Sequence, residues 1–454
     1  MSQQPIPQEN KMGAMPVNRL LLNMAVPLIV SMLVQAFYNI VDSIFVAQLS
    51  EDALTAVSLA FPVQNLMIAF ATGTGTGMNA LLSRRLGERK PEEAGRVANV
   101  GILLAVCTSL MFAVLGFFFS RFYFSTQTDI GPIISYGTDY LSVVTIFSIG
   151  LFIQIAIERI MQGTGRAMLT MLTQGVGAVL NIILDPIMIF GLFGFPALGV
   201  LGAAVATVTG QIIGAILGLY LNHRNNTDFR LSLREMRFRW KIIGNIYAIG
   251  FPSILMVAVG SIMTFLMNQI LLAFSSTAAA VFGVYYKLNS LAFMPLFGLT
   301  NAVVPIVGYN YGARSRRRIT GTIRLAMIWG TAIMTIGFLL FQLIPGQLLS
   351  LFNASEYMLQ IGIPALRITS WPFLLVGVNI VASSVFQALG KSMYSLIISF
   401  CRQLVVLIPA AYLLSLTGIL DAVWFSFLIA EVVCLVLSLL FLKKVFHLLD
   451  DFAE

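Results

Sequence analysis

Charged residues are scarce in this sequence. Only 10% of its 454 residues are Asp, Glu, Lys or Arg, whereas soluble domains average about 25%. Hydrophobic residues make up 58% of the chain. A chain of this length with so little charge cannot cover a surface that faces water, which argues against a soluble enzyme, a DNA-binding protein or a disordered scaffold. The composition instead predicts an all-α integral membrane protein with many spans.

Histidine and cysteine are also rare. The two histidines, His223 and His447, stand beside charged segments outside the apolar runs. The three cysteines, Cys107, Cys401 and Cys434, lie inside apolar runs. The sequence offers no Cys/His cluster with metal-ligand spacing and no disulfide framework. We therefore predict no cofactor, and the only ions that enter the hypotheses below are H+ and Na+.

Twelve apolar runs are long enough to cross a bilayer, because a spanning helix needs about 20 mainly apolar residues. We number these predicted spans 1 to 12 along the chain. Their approximate bounds are 20–47, 53–82, 97–120, 131–157, 167–192, 196–221, 244–273, 278–308, 322–343, 358–385, 392–415 and 420–442.

The basic residues predict the orientation of these spans. Lys and Arg cluster before span 1, after span 12, and in the connections between spans 2 and 3, 6 and 7, and 8 and 9. The connections on the other side carry only Arg121. By the positive-inside rule both termini are cytoplasmic, which requires an even number of spans. The basic segments are then expected to contact lipid headgroups rather than nucleic acid, and the predicted location is the plasma (inner) membrane.

The two halves of the chain resemble each other at one constant offset in residue number. Pro27 corresponds to Pro252, which sets this repeat offset at 225, and MQGTGRAML at 161–169 corresponds to FQALGKSMY at 386–394. Each half would hold six spans, so both halves have the same orientation and are related by an axis along the membrane normal. Secondary transporters with parallel repeats have this plan, and their substrate sites lie near the midplane between the halves.

The repeat also predicts the division of the chain. The expected parts are a cytoplasmic N-terminal segment (1–19), an N-lobe (20–222), a basic interlobe linker (223–243), a C-lobe (244–442) and a cytoplasmic tail (443–454).

The halves differ in their acidic residues. Asp42 in span 1 corresponds to Met267, and Asp185 in span 5 corresponds to Ala410. An acidic side chain in mid-membrane costs about 2.5–3.5 kcal/mol on insertion scales, so each aspartate is a candidate functional residue. The alternative is a structural aspartate that hydrogen-bonds a neighbouring helix.

Three helices of the N-lobe each carry polar residues at helical spacing, which predicts a water-accessible cavity that holds the two carboxylates. The faces consist of Gln35, Tyr38, Asn39 and Asp42 in span 1; Gln174, Asn181 and Asp185 in span 5; and Gly199, Ala203, Thr207 and Gln211 in span 6. Two nearby carboxylates in a low dielectric favour uptake of a proton. The same oxygens, with Asn181, Thr207 and a backbone carbonyl, would alternatively bind Na+ as a metal ion. The sequence leaves both ions open.

The C-lobe offers weaker candidates. Met256, Met263 and Met267 share a face of span 7, which indicates either ordinary packing or an adaptable apolar wall of a substrate cavity. Lys287 in span 8 and Arg367 in span 10 are either cavity cations or structural residues that reach the membrane surface.

Three further ionisable residues lie in or near spans. Glu158 and Arg159 near the end of span 4 favour a gating or structural ion pair over substrate binding. Glu431 in span 12 receives no assigned role.

Four segments together resemble the multidrug and toxic compound extrusion (MATE) transporters over essentially the whole chain. They are PLIVSMLVQAFYNIVDSIFVAQLS in span 1, ALLSRRLGERK after span 2, MQGTGRAM before span 5 and NIILDPIMIFG within span 5. The sequence is most similar to the prokaryotic branch whose acidic site lies in the N-lobe. The resemblance implies a V-shaped pair of six-helix lobes and cation-coupled export of amphipathic, often cationic compounds.

The resemblance also implies roles for individual residues. It assigns Asp42 and Asp185 to cation coupling and places Asn181, Thr207 and Ala203 around them. Gln35 and Tyr38 match the family's cavity positions in span 1. The branch often has Asn in span 4 where this chain has Gln154, so the chain departs from the pattern at that contact. The acidic C-lobe site of the other branch is missing from spans 7 and 8.

The sequence therefore predicts a secondary active exporter that works by alternating access and acts as a monomer in contact with membrane lipids. It would move small lipophilic or cationic drugs outward against entry of H+ or Na+. The nearest alternative is a lipid-linked saccharide flippase of the same superfamily, which would need a cationic cavity. An intramembrane enzyme would need a nucleophile–base pair or a metal site, and a passive channel would not transport uphill.

Overall fold

Helices make up the regular structure of this protein. The computed structural model describes residues 10–352 and 354–452, and no β-strand occurs in that part of the chain. The physical reason is that a bilayer core offers no water to bond exposed N–H and C=O groups. A helix satisfies those groups within a single segment, so long apolar runs become helices.

Ten helices of the described chain are long and apolar enough to cross a bilayer, and two bent helix pairs bring the number to twelve when each pair counts as one span. Twelve predicted spans are therefore present. In order they are Val17–Ala47, Glu51–Gly87, Pro91–Gln127, Gly131–Ile146 with Ile149–Gly163, Ala167–Phe190, Val200–Asn225, Trp240–Leu272, Ser276–Gly312, Arg316–Leu343, Glu356–Ser370 with Phe373–Ala388, Ser392–Ser415, and Leu420–Leu448. Short helices at Lys11–Ala14 and Pro345–Ser350 and 3-10 turns at Leu192–Gly194 and Leu233–Glu235 complete the helical structure.

The internal repeat extends to the helix boundaries. Spans 2 and 8 begin at equivalent positions of the repeat, each after a capping serine, and Ser50 and Ser275 accept hydrogen bonds of 3.0 Å from Ala53 and Ala278. The two bent pairs, spans 4 and 10, also begin at equivalent positions, Gly131 and Glu356, and they bend by 45° and 49°. The prediction of two six-helix lobes related by the repeat offset is therefore confirmed.

Several helices extend beyond their apolar runs. Span 3 begins at Pro91 rather than at 97, and span 9 begins at Arg316 rather than at 322. Hydropathy detects only the part of a helix that faces lipid, whereas backbone hydrogen bonding continues through charged turns. The linker between the lobes is accordingly shorter in the structure, because span 6 ends at Asn225 and span 7 begins at Trp240.

An ion-pair network closes the turn between spans 2 and 3. Glu88 accepts from Arg85 at 2.7 Å and from Arg84 at 3.2 Å. Partial burial opposes ionisation, but these two arginines hold the pKa of Glu88 below its usual range. The predicted basic connection is therefore an ordered turn.

The two lobes pack against each other where glycines let backbones approach. A Cβ added at Gly77 in span 2 would overlap the carbonyl of Ile246 in span 7, and one at Gly298 in span 8 would lie 2.6 Å from the backbone of Ile29 in span 1. A Cβ at Gly87 would overlap the carbonyl of Tyr309. We call the end that carries the 2–3, 6–7 and 8–9 connections the basic end. All three approaches lie in the halves of these spans nearer to it.

The segment before span 1 strengthens this interlobe contact. Arg318 in span 9 donates to the carbonyls of Met12 at 2.9 Å and Met15 at 2.7 Å, and Asn310 in span 8 donates to the Met12 carbonyl at 3.3 Å. These bonds bind the N-terminal segment to the C-lobe. The basic end is therefore held together by side chains as well as by helix packing.

Candidate cation-coupling site

Close packing of spans 5 and 6 positions the first part of the site. A Cβ added at Gly177 would lie 3.1 Å from the carbonyl oxygen of Gly210, and one at Gly210 would lie 2.7 Å from that of Gly177. A side chain at Gly210 would push the two backbones apart, and one at Gly177 would crowd them. The close approach places Asn181, one turn after Gly177, beside Thr207, which lies just before Gly210.

The Asn181 amide connects the two helices. With its oxygen and nitrogen oriented toward complementary partners, it donates to Asp185 Oδ2 at 3.2 Å and accepts from Thr207 Oγ1 at 3.3 Å. Asp185 and Ala203 are fully buried, and Asn181 is nearly so. Pro186 follows Asp185 and has no N–H to offer the carbonyl four residues earlier, that of Ile182. Three of the sequence-predicted residues of spans 5 and 6, Asn181, Asp185 and Thr207, are thus neighbours.

Asp42 of span 1 completes the site. Its carboxyl group lies close enough to that of Asp185 for the two to interact. Asp42 Oδ1 is buried and has no hydrogen-bond partner in the described chain. Two ionised carboxylates accept hydrogen bonds but donate none, so they repel at this separation unless a proton or another cation lies between them. The arrangement can therefore hold one exchangeable positive charge.

Two tyrosines lie close to the aspartate pair, and one of them was not predicted from the sequence. Tyr140 of span 4, the unpredicted one, lies within electrostatic range of both aspartates, as does Tyr38 of span 1. Tyr140 is 2% exposed, and Gln64 of span 2 donates to its hydroxyl at 3.1 Å. Gln64 was not predicted either. Gln64 stands beside Asn65, and Tyr140 stands beside Asp139. Short polar patches of this kind are too common in the sequence to select these two residues.

A third buried carboxylate in the N-lobe, Glu158, has several hydrogen-bond donors. Glu158 is 3% exposed and accepts from Gln174 at 2.7 Å, from Gln154 at 3.0 Å and from Thr173 at 3.4 Å. Ser31 of span 1 bonds to Gln174 in turn. Gln154 and Gln174 therefore serve Glu158 in this conformation rather than the aspartate pair. Glu158 is a satisfied polar group, whereas Asp42 is not.

Arg159 does not pair with its neighbour Glu158. It crosses the lobe interface and donates to Asn301 of span 8 at 2.7 Å and to Gln162 at 3.1 Å. Its side chain runs along Gly75, where an added Cβ would lie 2.8 Å from the Arg159 Cγ. The expected gating or structural ion pair is thus replaced by a hydrogen bond between the lobes.

The remaining cavity candidates are dispersed. In span 1, Gln35 is half-buried and Asn39 is exposed. In span 7, Met256 is half-buried, whereas Met263 and Met267 are buried in the apolar core at 9% and 0% exposure. Two of the three methionines are thus inaccessible to a ligand in this conformation.

The two C-lobe cations singled out from the sequence are both exposed. Lys287 places its Nζ 6.0 Å from the ring centre of Phe352. Arg367 lies in span 10, and its carbonyl accepts from Gln342 at 2.8 Å. Their roles as cavity cations stay predictions.

The C-lobe has a buried charge of its own, but it is compensated. Glu431 of span 12 is 4% exposed and accepts from Asn379 of span 10 at 2.7 Å. Arg402 of span 11, in a π-helical turn, lies 3.7 Å from the Glu431 carboxylate. Asn379 is the repeat counterpart of Gln154, which serves Glu158 in the N-lobe. Among the described residues, no lysine or arginine compensates the charge of Asp42 or Asp185 as Arg402 compensates that of Glu431.

One family model matches this chain twice. The MatE model aligns with residues 27–187 and 252–413, so the two matches begin at the equivalent prolines Pro27 and Pro252 of the internal repeat. Together the two matches cover more than half of the chain.

Curated relatives and solved structures match over nearly the full length. The multidrug export protein MepA of Staphylococcus haemolyticus is 25% identical over 421 residues, which cover 92% of each chain. The FAD transporter of Shewanella oneidensis is 25% identical over 434 residues, which cover 93% of this chain and 94% of that one. A solved MOP superfamily transporter from Pyrococcus furiosus superposes with a TM-score of 0.92 at 25% identity, covering 99% of this chain and 100% of that one. It is described as having a binding pocket of reversed polarity that suggests a different function.

Proposed function

Because this multi-pass membrane protein belongs to the MATE family of transporters, we propose that it exports small lipophilic or cationic organic compounds in exchange for a monovalent cation. MATE proteins are transport proteins rather than enzymes. The name of the staphylococcal relative supports multidrug export as the activity.

The observation that carries the proposal is the facing carboxyl pair. The carboxyl groups of Asp42 and Asp185 lie close enough to interact, and Asp42 Oδ1 is buried without a hydrogen-bond partner in the described chain. A buried carboxylate without a donor costs free energy, and binding of a cation removes that cost. The site is therefore suited to take up and release a positive charge as its surroundings change.

A proton is the coupling ion that this geometry favours. Two neighbouring carboxyl groups can share one proton, and no further ligand is needed. Na+ is the alternative, and the oxygen atoms that bind it would come from both aspartates, Asn181 and Thr207. In either case one cation enters and lowers the negative charge of the aspartate pair, and this change in charge would alter how span 1 packs against spans 5 and 6.

The proposed cycle uses alternating access. With the basic end in the cytoplasm, as the positive-inside rule predicts, the glycine contacts close the cytoplasmic side and this conformation faces outward. An external cation would then reach Asp42 and Asp185, and its binding would release the drug. The inward-facing state would form when the contacts at Gly77 and Gly87 open.

Exchange of one monovalent cation for another also has an energetic advantage. Moving a lone cation outward opposes a membrane potential worth about 2.3 kcal/mol per 100 mV. A one-for-one exchange moves no net charge, so this cost vanishes. We further propose that the protein acts as a monomer in the plasma (inner) membrane, with both termini cytoplasmic.

The test uses everted vesicles that contain the wild type, Asp42→Asn or Asp185→Asn. A fluorescent lipophilic cation is supplied, a pH gradient and a Na+ gradient are imposed separately, and dye accumulation is followed. Uphill accumulation under one gradient, lost in both variants, would support the proposal and name the ion. Asp129→Asn, which changes an exposed acid outside the spans, is the control and should transport normally. Variants that insert correctly and export as well as the wild type would refute it.

An anionic flavin dinucleotide is the second candidate substrate, because one relative is named an FAD transporter. Such a substrate needs cations in the cavity, and so does the diphosphate of a lipid-linked saccharide. Lys287 and Arg367 are the C-lobe cations singled out for that purpose, and both are exposed. FAD and a lipid-linked diphosphate belong in the same vesicle assay, where transport of either without dye transport would favour the alternative.

A further inference from the structure

A groove on the C-lobe lies outside the candidate cation site. It runs between spans 9 and 12 at the basic end and has a volume of about 650 Å³. One rim is polar and the floor is apolar. Its lining residues are Arg316, Thr320, Ile323, Arg324, Met327, Ile328, Leu439, Leu442, Lys443, Phe446, His447 and Asp450.

The groove carries an excess of positive charge. The acidic residue that lines the groove, Asp450, already forms an ion pair with Arg316 at 2.7 Å and contacts His447 at 3.2 Å. Arg324 and Lys443 line the same groove from opposite helices, and neither has an ion pair or side-chain hydrogen bond in the described chain. Two cations thus face a space whose only acid, among the described residues, is already paired.

The position of these cations matches a lipid headgroup. Arg324 lies eight residues after the first residue of span 9, about 12 Å along the helix axis. Lys443 lies five residues before the last residue of span 12, about 8 Å from that end. Arg324 thus stands near the start of the apolar run 322–343 and Lys443 directly after the apolar run 420–442, where the interface is expected to give way to the hydrocarbon region.

The floor of the groove continues from this level toward the membrane interior as apolar surface. Leu442 and Ile323 are buried at its base, whereas Ile328 is 57% exposed and Leu439 is 53% exposed. An acyl chain can cover such side chains, and water cannot do so without cost.

We propose that this groove binds an anionic phospholipid, with its phosphate between Arg324 and Lys443 and its acyl chains along Ile328 and Leu439. Basic pockets between spanning helices on the cytoplasmic side recognise acidic headgroups through this combination of charge and depth. A cationic drug is the wrong occupant, because the two cations would repel it. Inorganic phosphate would satisfy the cations but would leave the apolar floor uncovered.

The experiment measures lipid binding to the purified full-length protein in detergent. Phosphatidylglycerol and phosphatidylcholine with identical acyl chains are titrated in parallel, and bound lipid is counted by native mass spectrometry. Thermal unfolding at each concentration is the second readout. We expect phosphatidylglycerol to bind saturably and to raise the unfolding temperature, with no comparable effect of phosphatidylcholine or inorganic phosphate.

The matched variants separate the groove from general surface charge. Arg324→Gln with Lys443→Gln should weaken phosphatidylglycerol binding about thirtyfold, since each basic residue contributes to attraction for an acidic headgroup. Arg317→Gln with Lys444→Gln removes the same charge from the same two helices outside the groove and should bind normally. Equal losses in both pairs, no loss in the first pair, equal binding of the two lipids, or full displacement by inorganic phosphate would each overturn the proposal.

Discussion

Removal of Arg402 should destabilise the C-lobe more than removal of its partner Glu431. The Glu431 side chain is 6% exposed and the Arg402 side chain 25% exposed, and 3.7 Å separates the closest charged atoms. Arg402→Met leaves a buried carboxylate with Asn379 as its remaining donor. Breaking a buried pair from one side typically costs about 3–5 kcal/mol, and we expect the lower end, about 3 kcal/mol, because Arg402 is partly exposed.

Glu431→Gln is predicted to cost less, about 1 kcal/mol, because the neutral amide oxygen still accepts from Asn379 and Arg402 can reach solvent. The double variant should be more stable than Arg402→Met alone, since it contains no uncompensated carboxylate. This reversal distinguishes charge compensation from simple loss of packing, which would make the double variant the least stable of the three.

The assay is the free energy of unfolding in mixed micelles of increasing denaturing-detergent content, followed by tryptophan fluorescence. Arg367→Met, an exposed arginine in span 10, is the control and should change stability by no more than about 0.5 kcal/mol. An Arg402→Met variant as stable as this control, or a double variant less stable than Arg402→Met, would refute the reasoning.

Three further predictions concern the lobe interface and the basic end. Gly77→Leu should lose about 1–3 kcal/mol of stability through overpacking against span 7, whereas Gly321→Leu, with open space around it, should not, as thermal unfolding will show. Arg159→Met and Asn301→Ala should each loosen the lobes, measured as wider distances between spin labels, and their effects should not add. Because the pKa of Glu88 is lowered in the folded protein, its carboxylate stabilises the fold at neutral pH. This contribution is lost as the pH falls below the ordinary pKa of glutamate. Glu88→Gln should therefore be less stable than the wild type at neutral pH, with a gap that begins to close below the ordinary glutamate pKa and is gone once the pH has fallen through the lowered pKa of Glu88.

The number and order of the spans could be predicted from the sequence because each apolar run exceeds the length that a bilayer requires. The helix ends could not, since charged turns such as those at Pro91 and Arg316 continue the helix without any apolar signal. Hydropathy indicates whether a segment lies in lipid or in water. The helix boundary depends instead on capping and on the backbone hydrogen bonds of the last turn.

The candidate site was predictable where the two halves of the repeat disagree. Asp42 and Asp185 stood out because their counterparts are apolar, and the structure brings them together with Asn181 and Thr207. Gln174 shares a helical face with Asp185, yet it bonds to Glu158. The two positions are three turns apart, about 16 Å along the helix, so a shared face does not imply a shared partner.

The contrast between the lobes follows from the same repeat. Both lobes have six spans, matching bends and a buried carboxylate. In each lobe that carboxylate accepts a hydrogen bond from a side-chain amide, and the two amides, Gln154 and Asn379, stand at equivalent positions of the repeat. The C-lobe adds Arg402, a cation that is part of the chain and cannot dissociate from it. The N-lobe adds Asp42 and Asp185, which lack such a partner in the described residues. Exchange of an ion requires a charge that the protein itself leaves uncompensated, so the proposed coupling needs the N-lobe alone, and the C-lobe can serve as the stable half against which it moves.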